Sequence, residues 1–154
     1  MGYVLMISLT VILVLLVWIW CLNVKLNRFK QHCSKMTGFY WVLVPWLSRN
    51  ITQNSILKWF KNKSYKMVAI YGYKELGRLL FKELQSSEIE VKYIIDANAD
   101  NMYEEIDVVV PEDFAEEVDV IIVTAPFYYD EIYNNMKNRV KCPIVSIVDV
   151  INDY

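Results

Sequence analysis

Apolar and polar positions divide this chain into two regimes that meet near residue 66. From Val4 to Val24 there is no charged residue, and the only clearly polar members are Ser8, Thr10 and Asn23. At a rise of about 1.5 Å per residue this run is about 31 Å long, the thickness of a bilayer core. It predicts a membrane-spanning helix. A cleaved signal peptide would carry a basic start, a shorter apolar core and small residues before the cut. Here no Lys or Arg precedes the run, and Trp18, Ile19 and Trp20 occupy its end. Bulky Trp20 also speaks against a lipoprotein site at Cys21. Residues 25–38 read as a basic linker. Phe39 to Leu47 is too short to span and is interrupted by Pro45. Ile51 to Phe60 carries Ile51, Ile56, Leu57, Trp59 and Phe60, with Lys58, Lys61 and Lys63 alongside. That mixture suits a helix lying on a membrane surface. It equally suits a helix that hides the same aromatics against a globular domain.

From Met67 the pattern alternates between short Val- and Ile-rich runs and amphipathic stretches. Strands are expected at 67–71, 91–96, 107–110, 118–124 and 144–148, and helices at 75–85 and 130–139. An acidic turn is expected at Pro111-Glu112-Asp113. The run 118–124 is the most hydrophobic and is expected at the centre of the sheet. Strands of this composition alternating with helices imply an α/β class: an N-terminal transmembrane helix, then a small doubly wound parallel sheet of about five strands with covered faces. The expected domains are 1–24 as anchor, 25–64 as a basic and aromatic linker with one amphipathic helix, and 65–154 as the α/β domain.

Charge sharpens this division. Residues 1–66 hold nine Lys or Arg and no Asp or Glu, whereas residues 67–154 hold seven Lys or Arg and all 18 acids, so the parts carry about +9 and -11. A basic stretch beside an anchor points to anionic lipid, at about 1 kcal/mol per basic residue close to the surface. It offers a simpler account than nucleic acid, which is not expected as a partner. Lys25, Arg28, Lys30 and Lys35 follow the anchor, and the positive-inside rule puts the N-terminus outside and the C-terminal domain in the cytoplasm. Cys21, Cys33 and Cys142 form no framework, and His32 is the only histidine, so no metal site is expected. The sequons at Asn50 and Asn62 carry no meaning in a cytoplasmic segment.

The chemistry-bearing stretch is Ile70-Tyr71-Gly72-Tyr73-Lys74-Glu75-Leu76-Gly77, between an apolar strand and an amphipathic helix. A dinucleotide-binding loop, G-x-G-x-x-G, belongs at that place, and here Lys74 stands where the middle glycine would be. Gly72 permits the sharp turn and Gly77 close contact of helix and sheet. Lys74 either meets a phosphate through its ammonium, or marks a closed site, or simply starts the helix. Asp96 follows the second strand, where an acid can receive ribose hydroxyls or begin a turn over 96–100. Thr124 ends the expected central strand, placed to touch a phosphate or sugar or to cap the next helix. Tyr133 and Lys137 spell Y-x-x-x-K, about 60 residues after the loop, too near for the catalytic pair of short-chain dehydrogenases; the spacing is common on solvated helix faces.

These stretches, with Ile94-Ile95-Asp96, Asp119 to Thr124, and Pro143 to Ile147, resemble the Rossmann-like domains of bacterial polysaccharide-biosynthesis proteins. Relatives of that kind include the N-terminal regions of nucleoside-diphosphate-sugar epimerases and dehydratases. The resemblance covers about residues 65–150. It implies a nucleotide- or sugar-nucleotide-binding accessory protein in envelope or capsule polysaccharide assembly, beside a membrane glycosyltransferase-type protein. Gly72, Lys74, Gly77, Asp96 and Thr124 would form the cofactor-binding set, for a nucleotide sugar or an NAD-like ligand. No complete catalytic set is present. The alternatives are a ligand-free scaffold for partner recognition and a fragment of an epimerase or dehydratase.

Overall fold

The computed structural model describes residues 1–51, 56–99, 106–113 and 117–153, with residues 4, 5 and 10 by backbone only. The chain divides into two compact units, Met1–Trp41 and Val42–Tyr154.

A single helix, α1 (Gly2–Ile51), fills the first unit and continues into the second. Its 50 residues correspond to about 75 Å of helix. Among the described residues it is the one helix long and apolar enough to cross a membrane. The basic stretch 25–38, expected as a linker, is helical throughout, and Pro45 lies inside the helix rather than ending it. Proline removes one i→i−4 bond. Around it Val42 and Trp46 are buried, and Trp46 Nε1 donates to Glu83 Oε2 at 2.8 Å. These tertiary contacts hold the helix where local propensity would end it.

The second unit contains α2 (Leu57–Lys63), β1 (Met67–Tyr71), α3 (Glu75–Gln85), β2 (Glu90–Ile95), β3 (Val108–Val109), β4 (Val120–Val123), α4 (Tyr129–Met136), β5 (Ile144–Ser146) and α5 (Ile147–Asn152). A 3₁₀ turn, Pro126–Tyr128, leads into α4. The sheet order is β3-β2-β1-β4-β5, and every pair is parallel. This is a five-stranded all-parallel sheet with interleaved helices, Rossmann-like in general form. β1, not β4, takes the centre. Hydrophobicity reports burial of both faces, which the two strands share, and so cannot rank them within the sheet.

Each element has a local cause. In α3, Leu76, Leu80 and Leu84 recur every four residues and are fully buried, contributing about 1.5–3 kcal/mol each. Helix α2 buries Trp59 and Phe60 and ends at Ser64 in the left-handed region. Its aromatics, with Ile56, therefore lie in the domain core rather than on a surface. Residues 52–55 of the helix expected over 51–60 lie outside the described residues. Strand β5 stops at Ser146, two residues early, because the Ser146 hydroxyl caps α5 by accepting the amide of Val148 at 3.3 Å. The Asp119 carboxylate accepts the amides of Lys66 and Met67 at 2.7 and 2.8 Å, tying the start of β1 to the approach to β4.

Candidate functional site at the glycine loop

The chain leaves β1 toward β2 and β3 on one side, then returns across β1 to form β4 on the other. The carboxyl ends of β1 and β4 thus flank the point where the strand order reverses, which is where open α/β sheets hold ligands. The loop Gly72-Tyr73-Lys74 lies there.

Gly72 has φ +93°, a conformation that L side chains rarely adopt. Its amide donates to the Ile95 carbonyl at 2.8 Å. A methyl group at Gly77 would collide with the Gly72 carbonyl oxygen and lie 3.1 Å from Thr124 Oγ1. Gly77 is therefore required by backbone-to-backbone contact between α3 and the loop. Thr124 Oγ1 donates to the Gly72 carbonyl at 2.6 Å and lies 3.1 Å from that of Tyr71. The residue does not cap the following helix.

Asp96 is buried just past β2. Its Oδ2 accepts the Tyr73 amide at 2.7 Å, and its Oδ1 accepts the Asn98 amide at 2.9 Å. Both oxygens are thus engaged, one with the glycine loop and one within its own turn. Asp100, the end of that turn as expected from sequence, lies outside the described residues.

Lys74 behaves differently. It is exposed, with φ −91° and ψ −155°, and stands at the N-cap of α3 without any side-chain cap. Extended backbone accommodates its Cβ without strain. Among the described residues, no acceptor meets the amides of Glu75, Leu76 or Gly77; the first amide bonded in this turn is that of Arg78, to the Lys74 carbonyl at 2.9 Å. The first turn of a helix, with unbonded amides and a cation alongside, favours an anion.

The fold therefore brings Gly72, Gly77, Asp96 and Thr124 together around the loop, Thr124 and Asp96 by hydrogen bonds to it and Gly77 by close backbone contact, and leaves Lys74 on the rim. Tyr73 belongs to this group and was not among the candidates. It is 5% exposed, edge-on to Phe81 at 6.1 Å, with the Arg78 guanidinium 5.2 Å from its ring centroid. An aromatic residue in a loop usually composed of small ones was the available signal. At the end of β1, burial raises the Tyr71 phenol pKa, with Glu112, Asp96 and Glu131 adding to the effect, so the group stays neutral at physiological pH.

Tyr133 and Lys137 make a surface contact. The Lys137 ammonium lies 5.7 Å from the Tyr133 ring centroid and donates to Asn134 Oδ1 at 2.7 Å. Among the described residues no group of His, Cys, Asp and Glu is arranged to hold a metal ion. An open groove of about 480 Å³ lies between α2, β5 and α5, lined by residues that include Trp59, Tyr65 and Asp149, and none of its lining residues belongs to the glycine loop. In comparisons with protein families, curated proteins and solved structures, the chain finds no match.

Proposed function

We propose that this chain is a membrane-tethered, non-catalytic accessory protein whose Rossmann-like unit takes a phosphate of a nucleotide or sugar nucleotide. The observation that supports this reading is the first turn of α3, whose amides meet no acceptor among the described residues, with exposed Lys74 beside it, at the reversal point of the sheet. On this reading residues 1–24 cross the membrane with the N-terminus outside. The basic residues that follow meet anionic headgroups on the cytoplasmic side. The resemblance to polysaccharide-biosynthesis domains supplies the setting, envelope or capsule assembly beside a membrane glycosyltransferase-type protein. The test is calorimetry of the full chain in detergent against UDP-sugars, NAD and coenzyme A. Binding that Lys74→Glu removes is the expected result; no heat and no thermal shift at millimolar ligand would overturn the reading.

A second reading is a ligand-free scaffold that tethers a membrane complex. It is favoured by the internal use of both Asp96 oxygens and the Thr124 hydroxyl, which hold the glycine loop and the turn after β2 without any ligand. It expects Lys74→Glu to leave the protein's role in cells unchanged, while disruption of residues 39–60 abolishes it.

A further inference from the structure

We infer that α1 pairs with a second copy of this chain, parallel and in register, through one stripe of its surface. Between Lys25 and Gly38 the only apolar residues are Leu26, Phe29, Cys33 and Met36. Their spacing of three, four and three residues is continued by Tyr40 four residues on. That is a period of 3.5, the seam of a two-stranded coiled coil. All five are exposed in the single chain: Leu26 48%, Phe29 65%, Met36 57% and Tyr40 58%, with Cys33 also exposed. The same period runs back into the apolar segment at Leu22, Ile19, Leu15 and Ile12, each about half exposed.

The stretch has little reason to be helical alone. It holds four Lys or Arg and no Asp or Glu, and it ends in Thr37 and Gly38. Burial of the seam in a helix pair supplies what propensity lacks. The anchor identifies the occupant. It gives every copy the same direction and depth, so two copies meet head to head, each seam residue against its counterpart. Lys25 and Lys30 flank the seam, and in such a pair Lys25 of one copy lies beside Lys30 of the other. This repulsion is screened by salt, so salt strengthens the association.

The inference rests on insertion of α1, part of the proposed function, and its test reads insertion separately. The full chain is reconstituted in phosphatidylcholine vesicles with Cys33 as its only cysteine, through Cys21→Ser and Cys142→Ser. It is then oxidised with copper phenanthroline. Facing seam positions fall within disulfide reach, whereas positions on the outer face do not. Cys33 is expected to give a disulfide dimer, as is Met36→Cys in a Cys33→Ser background. Ser34→Cys and Gln31→Cys in that background are expected to give at least about ten-fold less dimer, their backbones lying beyond disulfide distance. Dimer yield rises with salt and falls in Phe29→Lys. Equal yields at all positions, or no dimer, in vesicles whose protein resists alkaline extraction would overturn the pairing and leave the anchor standing. Protein released by alkaline extraction would overturn the anchor and the pairing together.

Discussion

The Tyr73 amide donates to Asp96 Oδ2 at 2.7 Å, linking the glycine loop after β1 to the turn after β2. Both partners are buried, so the bond is shielded from water. Removing the acceptor strands a buried N–H, at a cost of about 1–3 kcal/mol. Asp96→Ala is expected to lower stability by that amount in urea unfolding, with an unchanged slope. Asp96→Asn keeps one carbonyl acceptor and is expected to lose less. A fall no larger than that of an exposed control, such as Glu88→Ala, would refute the role of this bond.

Gly77 and Gly72 answer to different physics, and their alanine variants should differ accordingly. Gly77→Ala forces a methyl group into the Gly72 carbonyl, a backbone atom that cannot swing aside. Overpacking of this kind costs about 1–3 kcal/mol or more, and the loop and α3 are expected to separate, seen as faster amide exchange in both. Gly72→Ala meets Thr124 Oγ1 at 3.2 Å, a softer neighbour, and its cost comes mainly from φ +93°, about 1–2 kcal/mol. The double variant Gly72→Ala with Thr124→Ala should therefore recover little of the loss.

Thr124→Val replaces the hydroxyl with a methyl group of similar volume and leaves the Gly72 carbonyl without its 2.6 Å donor. The expected loss is about 1–2 kcal/mol in thermal or urea unfolding. If Thr124 instead served only a ligand, the variant would unfold like the wild type and lose binding alone.

Trp46→Phe separates the two contributions of its indole. The ring is 4% exposed, and its Nε1 donates to Glu83 Oε2, which also accepts from Asn50 Nδ2 at 3.3 Å. Phenylalanine keeps much of the apolar contact and loses the charge-assisted bond, for an expected loss of about 1–3 kcal/mol. Trp46→Ala is expected to cost about 3–5 kcal/mol and to free the end of α1, read as new protease sensitivity between residues 42 and 51.

How much of this was legible beforehand depended on the range of the cause. Strand β1 and helix α3 were readable with their observed bounds, because glycine spacing and the Leu76, Leu80 and Leu84 repeat are local signals. The continuity of α1 was not readable. A basic stretch without acids and a proline both argue for an interruption, and the opposing contacts, Trp46 with Glu83, join residues 37 apart. Helix α5 was hidden because a strand ending in Ser can continue or cap, and the choice depends on tertiary contacts. At the loop the five candidates could be named from type and spacing. That Asp96 bonds the Tyr73 amide could not be, since an acid after a second strand suits a ribose, a turn or a backbone donor alike.

The remaining prediction concerns acid stability and follows from Asp119. Its carboxyl pKa is held below the ordinary carboxylate value, first by the Met67 amide and then by that of Lys66, against a smaller opposing effect of burial. The folded pKa thus lies below the unfolded one, and the folded protein binds fewer protons through this group. Its contribution is fully present above the unfolded carboxylate range, at neutral pH included. It declines as pH falls through that range and is lost below the folded pKa. Asp119→Asn is expected to destabilise at neutral pH and to make the acid limb of stability against pH shallower, so that the two proteins converge in strong acid. The check is urea unfolding of both proteins at a series of pH values from neutral downward. A constant difference across the series would mean that the amides of Lys66 and Met67 bind the side chain through shape alone and not through its charge.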